Sequence, residues 1–364
     1  MTSLYIHIPF CKRKCNYCDF VSYAGKETLI DQYVDALINE LHHLLTTNYL
    51  PLSTVYFGGG TPTMLESRHF AKILGLLTTH NSPLSTIEVS VEANPGTADK
   101  AKLKELRKLG INRLSIGIQS FNKRHLRTLG RIHTSSEAIR FYHDARSAGF
   151  DNINLDLIFA LPGQTLDEWK KDLETAIDLM PNHLSAYNLQ IEEGTPFHLQ
   201  KLNLPSEDIE LKMYEYAIET LMASGYKHYE ISNFAKPGFE CKHNINYWKN
   251  GNYLGIGAGA HSHVSGKRWA NPDSVESYIG CGGGYVSNID NRFSTNDTVT
   301  ENDKRESIFM GLRLLKGLSV DNFQGFEKEL AELIESGLLM RENSHAKLTR
   351  KGLYLANEVF EKFV

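Results

Sequence analysis

No run of this sequence is apolar for the roughly 20 residues that a membrane-spanning helix needs, which argues against an integral membrane segment. Positive charge is not in excess either. The 39 Lys+Arg face 43 Asp+Glu, a formal charge of −4, so nothing electrostatic favours a phosphate backbone and nucleic acid is not an expected partner. The start, Met1-Thr2-Ser3-Leu4-Tyr5-Ile6-His7-Ile8-Pro9-Phe10, lacks a basic n-region and its short apolar stretch ends at a proline. A secretory signal is therefore not expected, and the expected compartment is the cytosol. Cysteine is scarce and odd in number: there are 5, and Cys11, Cys15 and Cys18 fall within eight residues. In a reducing compartment that crowding reads as metal or cluster ligation, not as a disulfide framework.

What is present is an ordinary globular composition, 41% hydrophobic and 23% charged, over 364 residues. At roughly 150 residues per domain that length suggests about two domains, or one large barrel with an appendage. Strand-like runs at Leu4–Ile8, Thr54–Phe57, Ile87–Glu92, Asn112–Ile118, Asn152–Phe159 and His183–Leu189 alternate with helical patterns such as Leu29–Leu45 and Trp169–Met180. Thr165 and Glu168 have the spacing of a capping box ahead of the latter. Six strand–helix repeats predict a parallel α/β fold.

Side-chain alternation sharpens that reading. Glu88, Ser90 and Glu92 oppose Ile87, Val89 and Val91; Arg113, Ser115, Gly117 and Gln119 oppose Leu114, Ile116 and Ile118; Asn152, Asn154 and Asp156 oppose Ile153, Leu155 and Leu157. A closed barrel fills its interior with bulky apolar layers. A persistently polar face instead predicts an incomplete (β/α)6 barrel whose inner wall lines a cavity for a polar ligand. Residues 208–224 read as a helix, followed by a Gly- and aromatic-rich stretch to about residue 285. Ser287, Asn288, Asn291 and Asn296 mark a linker. The tail, with its helix, short hairpin and Thr-capped last helix, looks like a winged helix but has no basic excess, so a packing or lid role is expected. The expected parts are a barrel over 1–200, a barrel extension and connecting segment over 201–298, and a winged-helix-like C-terminal domain over 299–364.

The strongest chemical signal is Cys11-Lys-Arg-Lys-Cys15-Asn-Tyr-Cys18 on a loop after the first strand. Three thiolates can hold three irons of a cubane cluster and leave the fourth open to an external ligand. The alternative is zinc, which closes with four ligands. No fourth Cys or His follows at close spacing, and His7 is the only near candidate.

This C-x3-C-x2-C loop resembles that of radical S-adenosylmethionine (SAM) proteins. Tyr5-Ile-His-Ile-Pro-Phe-Cys11, Tyr17-Cys18-Asp-Phe20 and Phe57-Gly-Gly-Gly-Thr-Pro-Thr63 resemble the oxygen-independent coproporphyrinogen III oxidase family. So do Glu92-Ala-Asn-Pro-Gly-Thr97, Ser115-Ile-Gly-Ile-Gln-Ser-Phe121, Asp156-Leu-Ile-Phe-Ala-Leu-Pro-Gly-Gln-Thr165, His243-Asn-Ile-Asn-Tyr-Trp248 and Gly255-Ile-Gly-Ala-Gly-Ala-His-Ser262. The resemblance implies a [4Fe–4S] cluster on Cys11, Cys15 and Cys18. It also implies SAM and other cofactor contacts from Tyr5, Tyr17, Gly59, Gly60, Thr61, Glu92, Gln119, Arg131 and Asp156. Arg131 can pair with a carboxylate and Asp156 can accept from ribose hydroxyls.

Two departures separate branches of that family. The oxidase pattern has a fourth cysteine where this chain has Phe20 and an N-terminal arm where only ten residues precede Cys11. It is also apolar where this chain has His261. These features resemble the haem chaperone branch. They imply haem and haem-accepting proteins as partners, and they argue against porphyrinogen decarboxylation while leaving SAM cleavage open. His243, with Tyr247 and Trp248 to flank a porphyrin, is the haem-binding candidate; a hydrogen-bonded histidine in an aromatic core is the competing reading. His261 and His263 are weaker candidates, and Cys241 and Cys281 read as plain thiols. A homodimer is compatible with the sequence.

Overall fold

Alternating runs form strands where both neighbours and a covering layer are available, and all six do so in the computed structural model, which describes residues 2–47, 51–79, 84–283 and 301–364. They are β1 (Thr2–Ile8), β2 (Leu52–Gly59), β3 (Glu88–Ala93), β4 (Arg113–Gln119), β5 (Asn152–Phe159) and β6 (His183–Asn188). Each pairs in parallel with the next. The crossovers carry α1 (Ile30–Thr47), α2 (Ser67–Thr79), α3 (Lys100–Lys108), α4 (Lys123–Thr128), α5 (Ser135–Ser147) and α6 (Leu166–Asp178), and α7 (Glu207–Ala223) follows β6. The α6 capping box forms as its sequence predicts. Glu168 N donates to Thr165 Oγ1 at 3.2 Å, and Thr165 N donates back to Glu168 Oε2 at 3.0 Å.

The apolar faces do what the alternation requires. Val89, Val91, Leu114, Ile116, Ile118, Ile153, Leu155 and Leu157 are buried in one core with Tyr33, Phe70, Leu103, Phe141 and Trp169 from the helices. Each such side chain stabilises the sheet–helix layer by about 1.5–3 kcal/mol. Trp169 also donates its indole N–H to the Met213 carbonyl at 2.8 Å, locking α6 to α7.

The sheet is larger than the six repeats predict. Beyond β6 lie β8 (Asn233–Ala235) and β7 (Lys227–Glu230), both antiparallel additions. On the other side β9 (Tyr253–Ile256) pairs in parallel with β1, and β10 (His261–Val264) and β11 (Lys267–Ala270) continue antiparallel. The eleven strands run β11-β10-β9-β1-β2-β3-β4-β5-β6-β8-β7, and among the described residues the two ends are not paired, so the barrel is incomplete. Helix α8 (Lys242–Trp248) follows β8 in the chain, and Glu88 accepts from the backbone N–H groups of Lys242 and His243 at its start. Part of the polar strand face thus caps a helix and does not line a cavity.

Helices α9 (Val275–Gly280), α10 (Glu301–Leu312) and α11 (Glu327–Glu335) follow. The tail adds a three-stranded sheet of β12 (Leu318–Ser319), β13 (Leu339–Glu342) and β14 (His345–Leu348), ordered β12-β14-β13. Thr349 then caps the helix Arg350–Tyr354, accepting from Gly352 N. This helix–hairpin–helix has its own core around Phe323, Phe326, Leu333, Val359 and Phe363. It joins the barrel through Leu315 N, which donates to Tyr229 O at 3.1 Å, and through the Arg350–Glu219 ion pair at 2.7 Å. Ser287, Asn288, Asn291 and Asn296, expected as a linker, lie outside the described residues. Among the described residues no helix is long and apolar enough to cross a membrane.

Candidate functional site

The cysteine loop is closed by backbone. Phe10–Cys11 pairs with Tyr23–Ala24, and Tyr23 N donates to Pro9 O at 2.7 Å. Asn16 anchors its middle: the backbone N donates to Leu129 O at 3.0 Å, Nδ2 donates to Thr128 O at 2.8 Å, and Asn16 O accepts from Phe197 N at 2.9 Å. Cys11 Sγ lies 3.5 Å from Thr61 Oγ1, Cys18 Sγ lies 3.9 Å from Ser22 Oγ, and Arg131 Nη1 donates to Cys15 Sγ at 3.5 Å. All three sulfurs line one cavity of about 350 Å³. Burial raises the Cys11 and Cys18 thiols above their ordinary range, with hydrogen bonds and cationic neighbours opposing.

The donor set suits a cluster better than zinc. Three thiolates border one cavity, which matches a cubane with one iron left open, whereas zinc closes with four ligands. His7, the nearby fourth-ligand candidate, is already engaged. Its Nε2 lies 2.7 Å from the Val21 carbonyl and so donates, leaving Nδ1 to accept from the Tyr5 hydroxyl at 3.0 Å.

The glycine turn after β2 is required by this loop. Gly59 has φ +108, and a Cβ there would strike the His7 ring. A Cβ on Gly60 would lie 2.9 Å from Phe10 O and 3.0 Å from Cys11 Sγ. The same close approach lets Gly60 N donate to Ile8 O at 2.9 Å and Thr61 N to Phe10 O at 2.8 Å. Gly59, Gly60 and Thr61 all border the cysteine cavity.

The opposite wall is the polar strand face. Glu92 accepts from Tyr56 Oη at 2.9 Å and from Gly59 N at 3.2 Å. Burial, and then the Asp156 charge, push its carboxyl up to about 7. Asp156 accepts from Ser115 Oγ at 2.9 Å and Asn154 Nδ2 at 2.8 Å, and burial raises its carboxyl too. Gln119 ends β4 at φ +72, where the β4–β5 register shifts. A non-glycine residue held there costs on the order of 1 kcal/mol and re-aims the side chain into the cavity. Arg131 lies in the loop after α4, yet it reaches Cys15, the Gly117 carbonyl and Asn94 Oδ1, the last at 2.5 Å.

The structure therefore gathers Cys11, Cys15, Cys18, Tyr17, Gly59, Gly60, Thr61, Glu92, Gln119, Arg131 and Asp156 around one cavity. It adds Asn94, Ser185, Tyr187, Asn188 and Asn233, which sequence reasoning missed. The signal for two of these was present, since Ser185 and Tyr187 continue the alternation along β6. Arg131 Nε, Arg113 Nε, Asn188 Oδ1 and Asn233 Oδ1 are buried without a protein partner. A cavity with such unmet donors and acceptors suits a polar, multifunctional ligand.

Tyr5 instead borders a second cavity of about 520 Å³ with Tyr247, Trp248, Tyr253 and His261. His243 borders neither of these two. Thr54 Oγ1 donates to Ser3 Oγ, so His243 Nδ1 donates to Thr54 Oγ1 at 2.8 Å and Nε2 accepts from Tyr247 Oη at 3.0 Å. Burial, then the Arg113 charge, lowers this imidazole to about 3. Its surroundings are those of a hydrogen-bonded histidine in an aromatic core. His263 is buried with Nδ1 3.4 Å from Gly251 O; Cys241 is buried against Glu88 and Cys281 is exposed.

The radical SAM superfamily profile matches residues 5–176, and that of the HemN C-terminal domain matches residues 301–355. The chain is 39% identical to the heme chaperone HemW of Bacillus subtilis, over 100% of this chain and 99% of that one. It is 38% identical to the heme chaperone HemW of Lactococcus lactis, over 100% and 97%. Among solved structures, the radical SAM coproporphyrinogen III oxidase (HemN) of Escherichia coli superposes with a TM-score of 0.82 at 26% identity, covering 100% of this chain and 89% of that one.

Proposed function

This chain belongs to the heme chaperone HemW family within the radical SAM superfamily, and from that premise we propose that it binds haem and passes it to haem-accepting proteins. Superfamily membership implies a [4Fe–4S] cluster and SAM. The observation that carries the reading is the end-to-end match to a named heme chaperone at 39% identity, against 26% to the oxidase. Phe20, standing where the oxidase pattern has a fourth cysteine, supports the same branch.

Cys11, Cys15 and Cys18 would hold the cluster, which when reduced would supply an electron to the SAM sulfonium. The protein's own part is binding and orientation. Glu92, fixed by Tyr56 and the Gly59 amide, offers acceptor oxygens to the SAM ammonium. Arg131 holds positive charge beside Cys15 and has a spare Nε donor for a carboxylate. Asp156, oriented by Ser115 and Asn154, accepts from ribose hydroxyls. Gln119 and Tyr17 close the walls, and the Gly59–Thr61 turn brings backbone to the methionine end.

The test is haem titration of the anaerobically reconstituted full-length protein, with coproporphyrinogen III supplied in a parallel assay. A saturable Soret band, haem delivery to an apo-haem protein and no porphyrinogen turnover are expected. Formation of protoporphyrinogen, or no haem uptake at all, would overturn the proposal.

A further inference from the structure

Building on the haem-binding reading just given, the geometry points to the second cavity as the seat of the iron tetrapyrrole, with His261 as its axial ligand. The two cavities differ in what they can hold. The cysteine cavity is lined mostly by carboxylates, amides and hydroxyls, whereas the second gathers Tyr5, Phe20, Tyr247, Trp248 and Tyr253, with Met310 of α10 beside them, and the carboxylates of Asp19 and Glu92 are common to both. At about 520 Å³ it has room for a large planar apolar ring system, and aromatic side chains pack well on such a face.

An iron in that plane needs a neutral imidazole with a free nitrogen. Four histidines lie in this region, and three are committed. Both ring nitrogens of His7 and of His243 are hydrogen-bonded, and buried His263 faces the Gly251 carbonyl and does not border the cavity. His261 is exposed, borders the cavity, and makes no ring hydrogen bond among the described residues. Its backbone is rigidly placed. His261 pairs with Ala270, Ser262 Oγ accepts from Gly255 N at 2.9 Å, and a Cβ on Gly255 would strike the His261 carbonyl. A ligand on a braced strand keeps its aim.

His243 then acts as a positioning residue. By accepting from Tyr247 Oη it fixes one aromatic wall without touching iron. The motif and the ligand are thus separate parts of one site.

The experiment compares ferric haem binding and the electronic and EPR spectra of the full-length wild type, His261→Ala and His243→Gln. The wild type is expected to show an imidazole-ligated iron. His261→Ala should weaken haem binding by about tenfold or more, lose that signature, and regain it when free imidazole is added. His243→Gln should keep the signature, with weaker binding. A His261→Ala protein with wild-type spectrum and affinity overturns the seat alone and leaves haem binding standing. So does a signature lost in His243→Gln but kept in His261→Ala. A wild type that takes up no haem overturns both this assignment and the function it rests on.

Discussion

The polar cavity and the aromatic cavity share Gly59, Glu92, Asp19 and Phe20, yet they are built in different ways. The polar one comes from successive parallel strands, each contributing every second residue: Glu92 from β3, Ser115 and Gly117 from β4, Asn154 and Asp156 from β5, Ser185 and Tyr187 from β6. The aromatic one joins β1 to α8, β9, β10 and α10, which follow it by more than two hundred residues in sequence. The first therefore holds polar groups in fixed, partly unpaired positions and suits a ligand bound by many directional contacts. The second offers area and one free imidazole. One shared wall lets two ligands lie close together while each is recognised by separate chemistry.

The sharpest way to break that separation is to remove the thiols. Replacing Cys11, Cys15 and Cys18 together with serine is expected to abolish bound non-haem iron and sulfide, because hydroxyls hold cluster iron far less well than thiolates. None of these residues borders the aromatic cavity. Haem uptake should consequently change by no more than about threefold. Iron and sulfide analysis beside a haem titration on the same preparation checks both halves. Non-haem iron and sulfide retained by the triple variant would refute the cluster assignment, and haem lost in parallel with them would refute the independence of the two sites.

The same contrast explains what could be read from the sequence. Period-2 alternation identified the polar wall because a strand's side-chain pattern is local, and Thr165 with Glu168 identified a helix start for the same reason. β9 was not foreseen. Tyr253-Leu-Gly-Ile lies in a glycine-rich stretch, and its strand character comes from lying against β1, about 250 residues away in sequence. The state of His243 was hidden too, since one partner, Thr54, is 189 residues distant. Arg131 was a candidate only through the family resemblance, because it belongs to no strand, and only the fold turns its guanidinium toward Cys15.

Glu92 offers a graded test. Its folded carboxyl keeps its proton up to about 7, whereas an unfolded glutamate releases it near about 4.3. Between those values the folded state binds more protons, so this residue's contribution to stability is present at low pH and is lost as pH rises toward 7. Glu92→Gln should therefore be more stable than the parent at pH 8, on the order of 3–4 kcal/mol, and little different at pH 4. SAM binding should show the opposite dependence. It needs the ionised carboxylate, so affinity in the parent should fall as pH drops through 7, and that dependence should disappear in Glu92→Gln. Denaturant melts and SAM titrations across pH 4–8 measure both. A parent whose SAM affinity is flat across this range would show that Glu92 does not meet the ammonium.

The smallest effect is the most specific to the polar cavity. Gln119 is held at φ +72 where β4 ends, a conformation that glycine adopts without steric cost. Gln119→Gly relieves that strain but gives the unfolded chain more freedom, so the two effects nearly cancel and stability should rise by at most about 1 kcal/mol. Binding should move the other way. Loss of the amide from the polar wall is expected to weaken SAM by roughly threefold to tenfold and to leave haem affinity unchanged, because Gln119 does not border the aromatic cavity. A stabilised variant with intact SAM affinity would mean that the left-handed turn serves only to end the strand. A destabilised one would mean that the amide side chain supports the fold, and the polar wall would then owe less to ligand binding than its unpaired groups imply.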